Sequence, residues 1–425
     1  LADGFSVTLL ESSDQLGGLG TFFRYGEQWL DRFYHCIMPS DAHLLGLIDE
    51  AGLSSALYWR PTTMGFAHGG KHYDFNTPLD LLRFAPLAFH ERLRLGATGA
   101  VLRHLGDPAK LDDMTTEQWM SGLFGRSLWE KFWRPLFFAK FGERAAQLPA
   151  LYIWQRLGRE SNAADRGYLR CGLHGLIGAL AKLIRSRGGE IHTDAPVLRI
   201  DPVAGVDGPL RVQTARGTFL ADWVVCTTPI PLLAKMVEGN PLHRLIADPE
   251  LPYQGVVNTL FFLERPLANH YWSPVVSCGT EFDGVVEMTT LVETSRVGGL
   301  HLAYAMKYTP RDSALFAEPD ASIAARWSEQ LAALYRPLGL RREDIVDTRV
   351  FRTPFVEPSY PLGYSRTKPD FSLGDSRILL ASTAQVYPHI TSWNSAVRLC
   401  EETLQHLYRR AGQRAPRTFA RKLAA

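Results

Sequence analysis

The stretch Phe5-Ser6-Val7-Thr8-Leu9-Leu10-Glu11-Ser12-Ser13-Asp14-Gln15-Leu16-Gly17-Gly18-Leu19-Gly20-Thr21 joins a buried type of strand to a glycine turn through one acidic residue. A strand is expected over 5–10, ending at Glu11. A carboxylate at the end of such a strand suits the paired hydroxyls of a ribose, which it binds through charge-assisted hydrogen bonds in α/β dinucleotide folds. Gly17 and Gly18 let the backbone approach a diphosphate or a ring that a side chain would hold away. A plain turn after a strand is the other reading of the same residues.

Working outward, Leu1-Ala2-Asp3-Gly4 reads as a helix end closed by its glycine. Asp41 to Glu50 turns Leu44, Leu45 and Ile48 to one side and predicts a helix. A hairpin is expected over Met64 to Phe75, hinged on Gly69-Gly70. Thr115, with Gln118 three residues on, predicts a capping box, and Pro135 is expected to interrupt the aromatic helix that follows. From Leu173 the apolar spacing predicts a helix that stops at Gly188-Gly189. Strands are expected over 190–193, 198–201, 210–214 and 219–227. A second strand-rich region covers 255–263, 285–290, 300–307 and 345–351, with a helix near 321–335, and reads as a separate antiparallel sheet. The chain closes with a strand over 377–382 and a helix over 395–410.

At 425 residues the chain is long enough for two or three domains. With 46% hydrophobic and 21% charged residues it has the composition of a globular protein. Lys plus Arg number 46 against 44 Asp plus Glu, so the net charge of +2 provides no field for nucleic acid. The five cysteines lack metal-ligand spacing, no metal site is expected, and they read as reduced thiols of a cytoplasmic protein. No apolar run reaches the length of a membrane span. The segment 79–105 mixes Leu, Phe and Ala with Arg83, Arg94, Arg103, His90 and His104. It reads either as a packed helix pair with a basic outer face or as a peripheral membrane contact for a lipidic substrate.

Five segments in a fixed order carry a resemblance. They are Glu11 to Gly18; Gly172-Leu173-His174-Gly175-Leu176; Asp194-Ala195-Pro196-Val197-Leu198-Arg199-Ile200; Trp223-Val224-Val225-Cys226-Thr227-Thr228-Pro229; and Ile378 to Gln385, continued through Asn394-Ser395-Ala396-Val397. Across almost the whole chain they resemble the flavin-containing amine oxidase and protoporphyrinogen oxidase superfamily. The resemblance implies FAD as cofactor and an α/β fold. It implies a Rossmann-like, three-layer FAD-binding domain, incomplete at its N-terminus, over 1–57, 171–235 and 366–425. A second, α+β substrate domain of mixed or antiparallel sheet plus helices would take 58–170 and 236–365.

Cofactor contacts are implied for Glu11, Ser12, Gly17, Gly18, Leu19, Thr21, Phe33, Tyr34, His35, Val197, Thr227, Pro229, Ser382, Thr383, Thr391, Trp393 and Asn394. The departures are as specific as the matches. No GxGxxG occurs, and Ser382 and Leu399 stand where glycine is common in the family. The family's first strand, glycine loop and first helix are expected ahead of Leu1, and on that reading the chain as written holds FAD weakly or not at all.

The implied reaction is oxidation or desaturation of a C–N or C–C bond by hydride transfer to FAD, with an apolar or isoprenoid-like small molecule as substrate. The segment Asp31 to His35 also resembles the region of UDP-galactopyranose mutase where a histidine sits beside the flavin. A flavin-dependent sugar-nucleotide mutase is therefore the second expectation, and a non-catalytic flavoprotein remnant the third. His35 is the candidate acid–base residue, against a structural, hydrogen-bonded histidine. Tyr304, Lys307, Tyr360, Tyr364 and His389 are candidates for the substrate cavity, against core or rim positions.

Overall fold

The computed structural model describes residues 1, 4–159 and 164–412. The helix end expected over 1–4 rests on Ala2 and Asp3, which lie outside the described residues. The chain opens with β1 (Thr8–Leu10), a hairpin of β2 (Phe22–Tyr25) and β3 (Gln28–Asp31), and helix α1 (Ala42–Glu50). Strand β4 (Leu57–Thr62) leads into the expected hairpin, β5 (Gly65–His68) and β6 (Lys71–Asp74), turned by Gly69 and Gly70 at positive φ.

A helical layer follows: α2 (Pro78–Arg83), α3 (Phe89–Val101), α4 (Pro108–Leu111), α5 (Thr116–Phe124), α6 (Arg126–Leu128), α7 (Arg134–Phe141) and α8 (Ala150–Arg159). The Thr115–Gln118 capping box forms as expected. Pro135 does not break the chain. It sits in the first turn of α7, where its missing N–H costs nothing, and Trp129–Trp133 before it widen into a π-helical turn. The aromatic side chains of this layer pack on one another. Phe66, Phe84 and Phe132 meet in one cluster, and Trp133 stacks on Phe137. Most of them fill the core.

Strand β7 (Ala164–Leu169) pairs back on β4, and α9 (Gly172–Ser186) carries the chain to β8 (Glu190–His192). Helix α9 stops at Gly188, φ +82°, as the glycine pair predicts. Next come β9 (Val197–Pro202), β10 (Leu210–Thr214), β11 (Gly217–Ala221), β12 (Val224–Cys226) and α10 (Ile230–Met236). The single strand expected over 219–227 is two. Strand β11 pairs antiparallel with β10, whereas β12 pairs parallel with a strand near the C-terminus, and Asp222-Trp223 between them change sheets.

The remaining elements are β13 (Tyr253–Leu263), β14 (Trp272–Val276), β15 (Gly284–Glu287), β16 (His301–Pro310), α11 (Asp320–Tyr335), β17 (Ile345–Pro358), α12 (Tyr364–Thr367), β18 (Ile378–Leu380) and α13 (Trp393–Arg410). Seven strands form the large sheet, in the order β17-β13-β16-β15-β14-β5-β6. The sheet is mixed rather than purely antiparallel, because β14 runs parallel to β5. The hairpin near residue 70 thus belongs to the same sheet as strands two hundred residues on. Helix α11 covers one face, with Trp327, Leu331 and Ile323 fully buried.

Two parallel pairs make the other α/β part. Strand β1 aligns with β8, Thr8 opposite Glu190, and β12 aligns with β18, Val224 opposite Ile378. Only the last three residues of the expected 5–10 strand form ladder partners, because β8 is itself three residues long. The α/β architecture expected from sequence is present.

Candidate functional site

Ligands of open α/β sheets bind beyond the carboxyl ends of parallel strands. At the end of β1, Glu11 is locked on both sides: its N–H donates to His192 O at 2.9 Å, and its own carbonyl accepts from the Ala195 N–H at 2.8 Å. That second bond joins Glu11 to Ala195, two residues before Val197, the first residue of β9. Oε1 of Glu11 accepts from the Ser13 N–H at 2.8 Å, Ser13 Oγ at 3.0 Å and Ser12 Oγ at 3.1 Å. Ser12 therefore serves the carboxylate, and among the described residues no donor takes Oε2, which leaves it to accept from a ligand.

Gly17 and Gly18 both hold positive φ, +123° and +57°, which explains the glycine pair. A Cβ on Gly18 would meet nothing within 4 Å, so this turn has an open face. Leu19 beside it is exposed, and Thr21 accepts the Arg32 N–H through its carbonyl at 3.0 Å. A Cβ on Gly20 would overlap the Trp393 ring. The opening glycine turn and the head of the last helix are thus in direct contact across more than 370 residues of sequence.

Helix α13 is prepared at that end. Ser392 caps it by accepting the Ser395 N–H at 3.1 Å, and Asn394 Oδ1 accepts from the His43 and Leu44 N–H groups, fastening α13 to the start of α1. Thr391 lies in the loop just ahead of the cap. At the second strand pair, the Ala381 N–H donates to Cys226 O at 2.9 Å, so β18 and β12 end together and place Ser382 and Thr383 with Thr227 and Pro229. Ser382 is buried and caps a short turn through Ala384 N–H. Its hydroxyl does structural work, unlike the glycine common there.

His35 is brought to the same head of α13, its ring stacked at 6.3 Å from Trp393 and tilted at 5.1 Å from Tyr168. Its Nδ1 lies 3.5 Å from Asp31 Oδ2. Burial pushes the imidazole below its ordinary value of 6.5, outweighing the pull of the Asp31 carboxylate. Asp31 is itself held by the Tyr168 hydroxyl and by the Leu173 N–H at 3.1 Å. Burial, then the Asp31 charge, raises Tyr168 well above 10. Arg296 ties this group together by donating to the carbonyls of Arg170 and Trp29. His174, from the second motif, stacks on Trp29 at 4.4 Å.

Phe33 and Tyr34 turn the other way, into the apolar cluster under the large sheet. Tyr34 shares a 3.2 Å hydroxyl contact with Tyr308, which takes the Lys140 ammonium at 2.6 Å. Four cavity candidates have other employment. Tyr360 and Tyr364 are buried, with their hydroxyls on the Thr383 and Ala384 carbonyls; Tyr304 donates to Asp31 O; Lys307 pairs with Asp283. All are bound into the interior, because a buried hydroxyl or ammonium must find a partner. His389 lines a cavity of about 340 Å³ with Asn394, Ser395, Arg398 and Trp154.

Sequence reading placed Asp31 in the segment expected beside the flavin without giving it a role, and it missed Tyr168, Arg296, Lys140 and Tyr308. Asp31 stands four residues before His35, a spacing visible in the sequence. Tyr168 and Arg296 lie more than a hundred residues away, and no local signal ties them to His35. Among the described residues no group of side chains is arranged to hold a metal.

The family model described as flavin containing amine oxidoreductase matches residues 1–398. No curated protein matches the sequence. Among solved structures, the chain is similar to a protoporphyrinogen oxidase-like protein from Exiguobacterium sp. 255-15, at 18% identity and TM-score 0.73, covering 95% of this chain and 92% of that one. It is similar to reduced UDP-galactopyranose mutase at 14% identity and TM-score 0.72, covering 94% and 89%. Putrescine oxidase bound to putrescine gives 15% identity and TM-score 0.68, covering 95% and 94%. At these identities the likenesses establish the fold, and the family match supplies the chemistry. A free carboxylate oxygen at a strand end, an open glycine turn and a capped 18-residue helix are a donor and acceptor set that suits FAD. The chain belongs to the flavin-containing amine oxidoreductase family, and it is an FAD-dependent oxidoreductase.

Proposed function

We propose that the protein oxidises or desaturates a C–N or C–C bond of an apolar small molecule, with His35 as the residue that handles the proton. When bound, FAD supplies the two-electron acceptor for the hydride. Glu11, through Oε2, and the backbone of Val197 would hold the adenosine end. Gly17, Gly18 and the head of α13 would hold the flavin end.

The observation that carries the reading is the largely buried His35 ring beside Trp393, with its Nδ1 3.5 Å from Asp31 Oδ2. A neutral imidazole can accept the proton that leaves substrate nitrogen or carbon as the hydride departs, and Asp31 steadies the resulting cation. Trp393 and Tyr168 wall this position with ring surface, which favours an apolar substrate and excludes water. Leu19 at the lip of the glycine turn adds to the same apolar rim.

The test is anaerobic single turnover of the flavin-loaded protein against amines and unsaturated apolar compounds, followed by flavin bleaching. A substrate that bleaches the flavin should do so roughly a hundredfold more slowly in His35→Gln. An unchanged rate removes His35 from the chemistry. The fold shared with the galactopyranose mutase supports a second reading. Interconversion of UDP-sugars by the reduced protein, with no acceptor consumed, would replace the oxidase reading with it.

A further inference from the structure

We propose that helices α2 and α3 form a docking surface for an anionic lipid bilayer. Helix α3 is turned inside out relative to an ordinary surface helix. Glu91 and Leu95 face inward, both buried. On the opposite side Phe89 is 64% exposed, Leu93 50% and Val101 45%, with Ala97 and Ala100 exposed between them. At about 100° per residue, positions 89, 93, 97 and 100 fall within one quadrant of the helix.

Helix α2 extends the same apolar ground. Its Leu81 packs on Gly96 of α3, at the 3.3 Å expected for a Cβ there, and its Leu79 and Leu82 are 51% and 40% exposed. Five large apolar side chains exposed within 23 residues is far more than single scattered leucines, which need no explanation.

Charge identifies the occupant. Arg83 and Arg94 are exposed beside this stripe, Arg94 with one guanidinium nitrogen on the Leu123 carbonyl at 2.9 Å. The two carboxylates of these helices are engaged. Asp80 accepts the Asn76 and Thr77 N–H groups, and Glu91 takes Ala88 N–H, Ser127 and Lys131. An apolar face rimmed by cations, with its acids turned into caps, matches acyl chains below anionic headgroups. A second copy of the chain is a poorer partner, since a twofold contact over this face would bring its arginines against their own kind. No described helix is long and apolar enough to cross a membrane, so the contact is interfacial.

The experiment is cosedimentation of the protein with phosphatidylcholine vesicles, with and without phosphatidylglycerol, at low and high salt. Binding should be at least about tenfold stronger to the anionic vesicles and weaken with salt. The double variant Phe89→Ser, Leu93→Ser should lose about tenfold or more with unchanged circular dichroism and melting, since both side chains stand in solvent. Arg83→Glu should remove most of the anionic preference. Wild-type protein that ignores both vesicles, or a double variant that binds as well as wild type, overturns the proposal. So does a dimer by light scattering that the double variant dissociates while vesicle binding is nil. None of these readouts depends on flavin, so they stand apart from any test of the oxidase reading.

Discussion

Gly20 shows how one missing side chain holds two distant motifs together. Its φ is ordinary, so backbone strain is not the reason for glycine there; the reason is the Trp393 ring lying against its α-carbon. Gly20→Ala should therefore destabilise the protein by about 1–3 kcal/mol through overpacking, read as a lower denaturant midpoint. Trp393→Leu in the same background should recover part of the loss. The sequence displays Gly17-Gly18-Leu19-Gly20 as a turn, and two of the three glycines are explained that way. The third needs a partner 373 residues on, which no turn rule supplies. His35 is a similar case: its candidacy is legible from its position after the glycine turn, whereas the burial that pushes its imidazole down and the Asp31–Tyr168 pair beside it are not.

Elements were legible where a local rule acts alone. The capping box at Thr115, the stop at Gly188 and the hairpin at Gly69-Gly70 appear where the sequence places them, because each is decided within a few residues. Errors came where tertiary contacts decide, as when β11 and β12 divide one apolar run between two sheets. Helix α3 has features of both kinds. Its basic and apolar mixture is visible in sequence, but the inward turn of Glu91 is not.

Burial alone would raise the Glu91 carboxyl, yet hydrogen bonds from Ser127, the Ala88 N–H and Lys131 bring it from 4.5 down to about 2. Glu91→Ala should cost about 2 kcal/mol at neutral pH, by removing a cap and a charge-assisted pair. A group with a depressed folded value stabilises above its unfolded value and loses that stabilisation as pH falls. The deficit of the variant should accordingly shrink between pH 4.5 and about 2, in melts of the two proteins run side by side.

At the scale of the whole molecule, the two parts are woven from separated segments. The large sheet draws β5 and β6 from the first fifth of the chain and β13 to β17 from the second half, and the parallel pairs join β1 to β8 and β12 to β18. The five motifs are spaced along the sequence by this weaving, and their order, more than any one of them, made the fold readable. What they surround follows from the strand ends: Glu11 beside Ala195 at one end, and Gly20, His35 and Trp393 gathered at the other.

The most direct measurement is the FAD affinity of the protein against that of Glu11→Gln, by quenching of flavin fluorescence. The amide oxygen can still receive the Ser12 and Ser13 bonds, so the turn survives, while the oxygen left for the ribose is replaced by an uncharged NH2 group that donates instead of accepting. The account predicts affinity weaker by about tenfold or more in the variant, with an unchanged melting curve of the apoprotein. Equal affinity of the two proteins would contradict it.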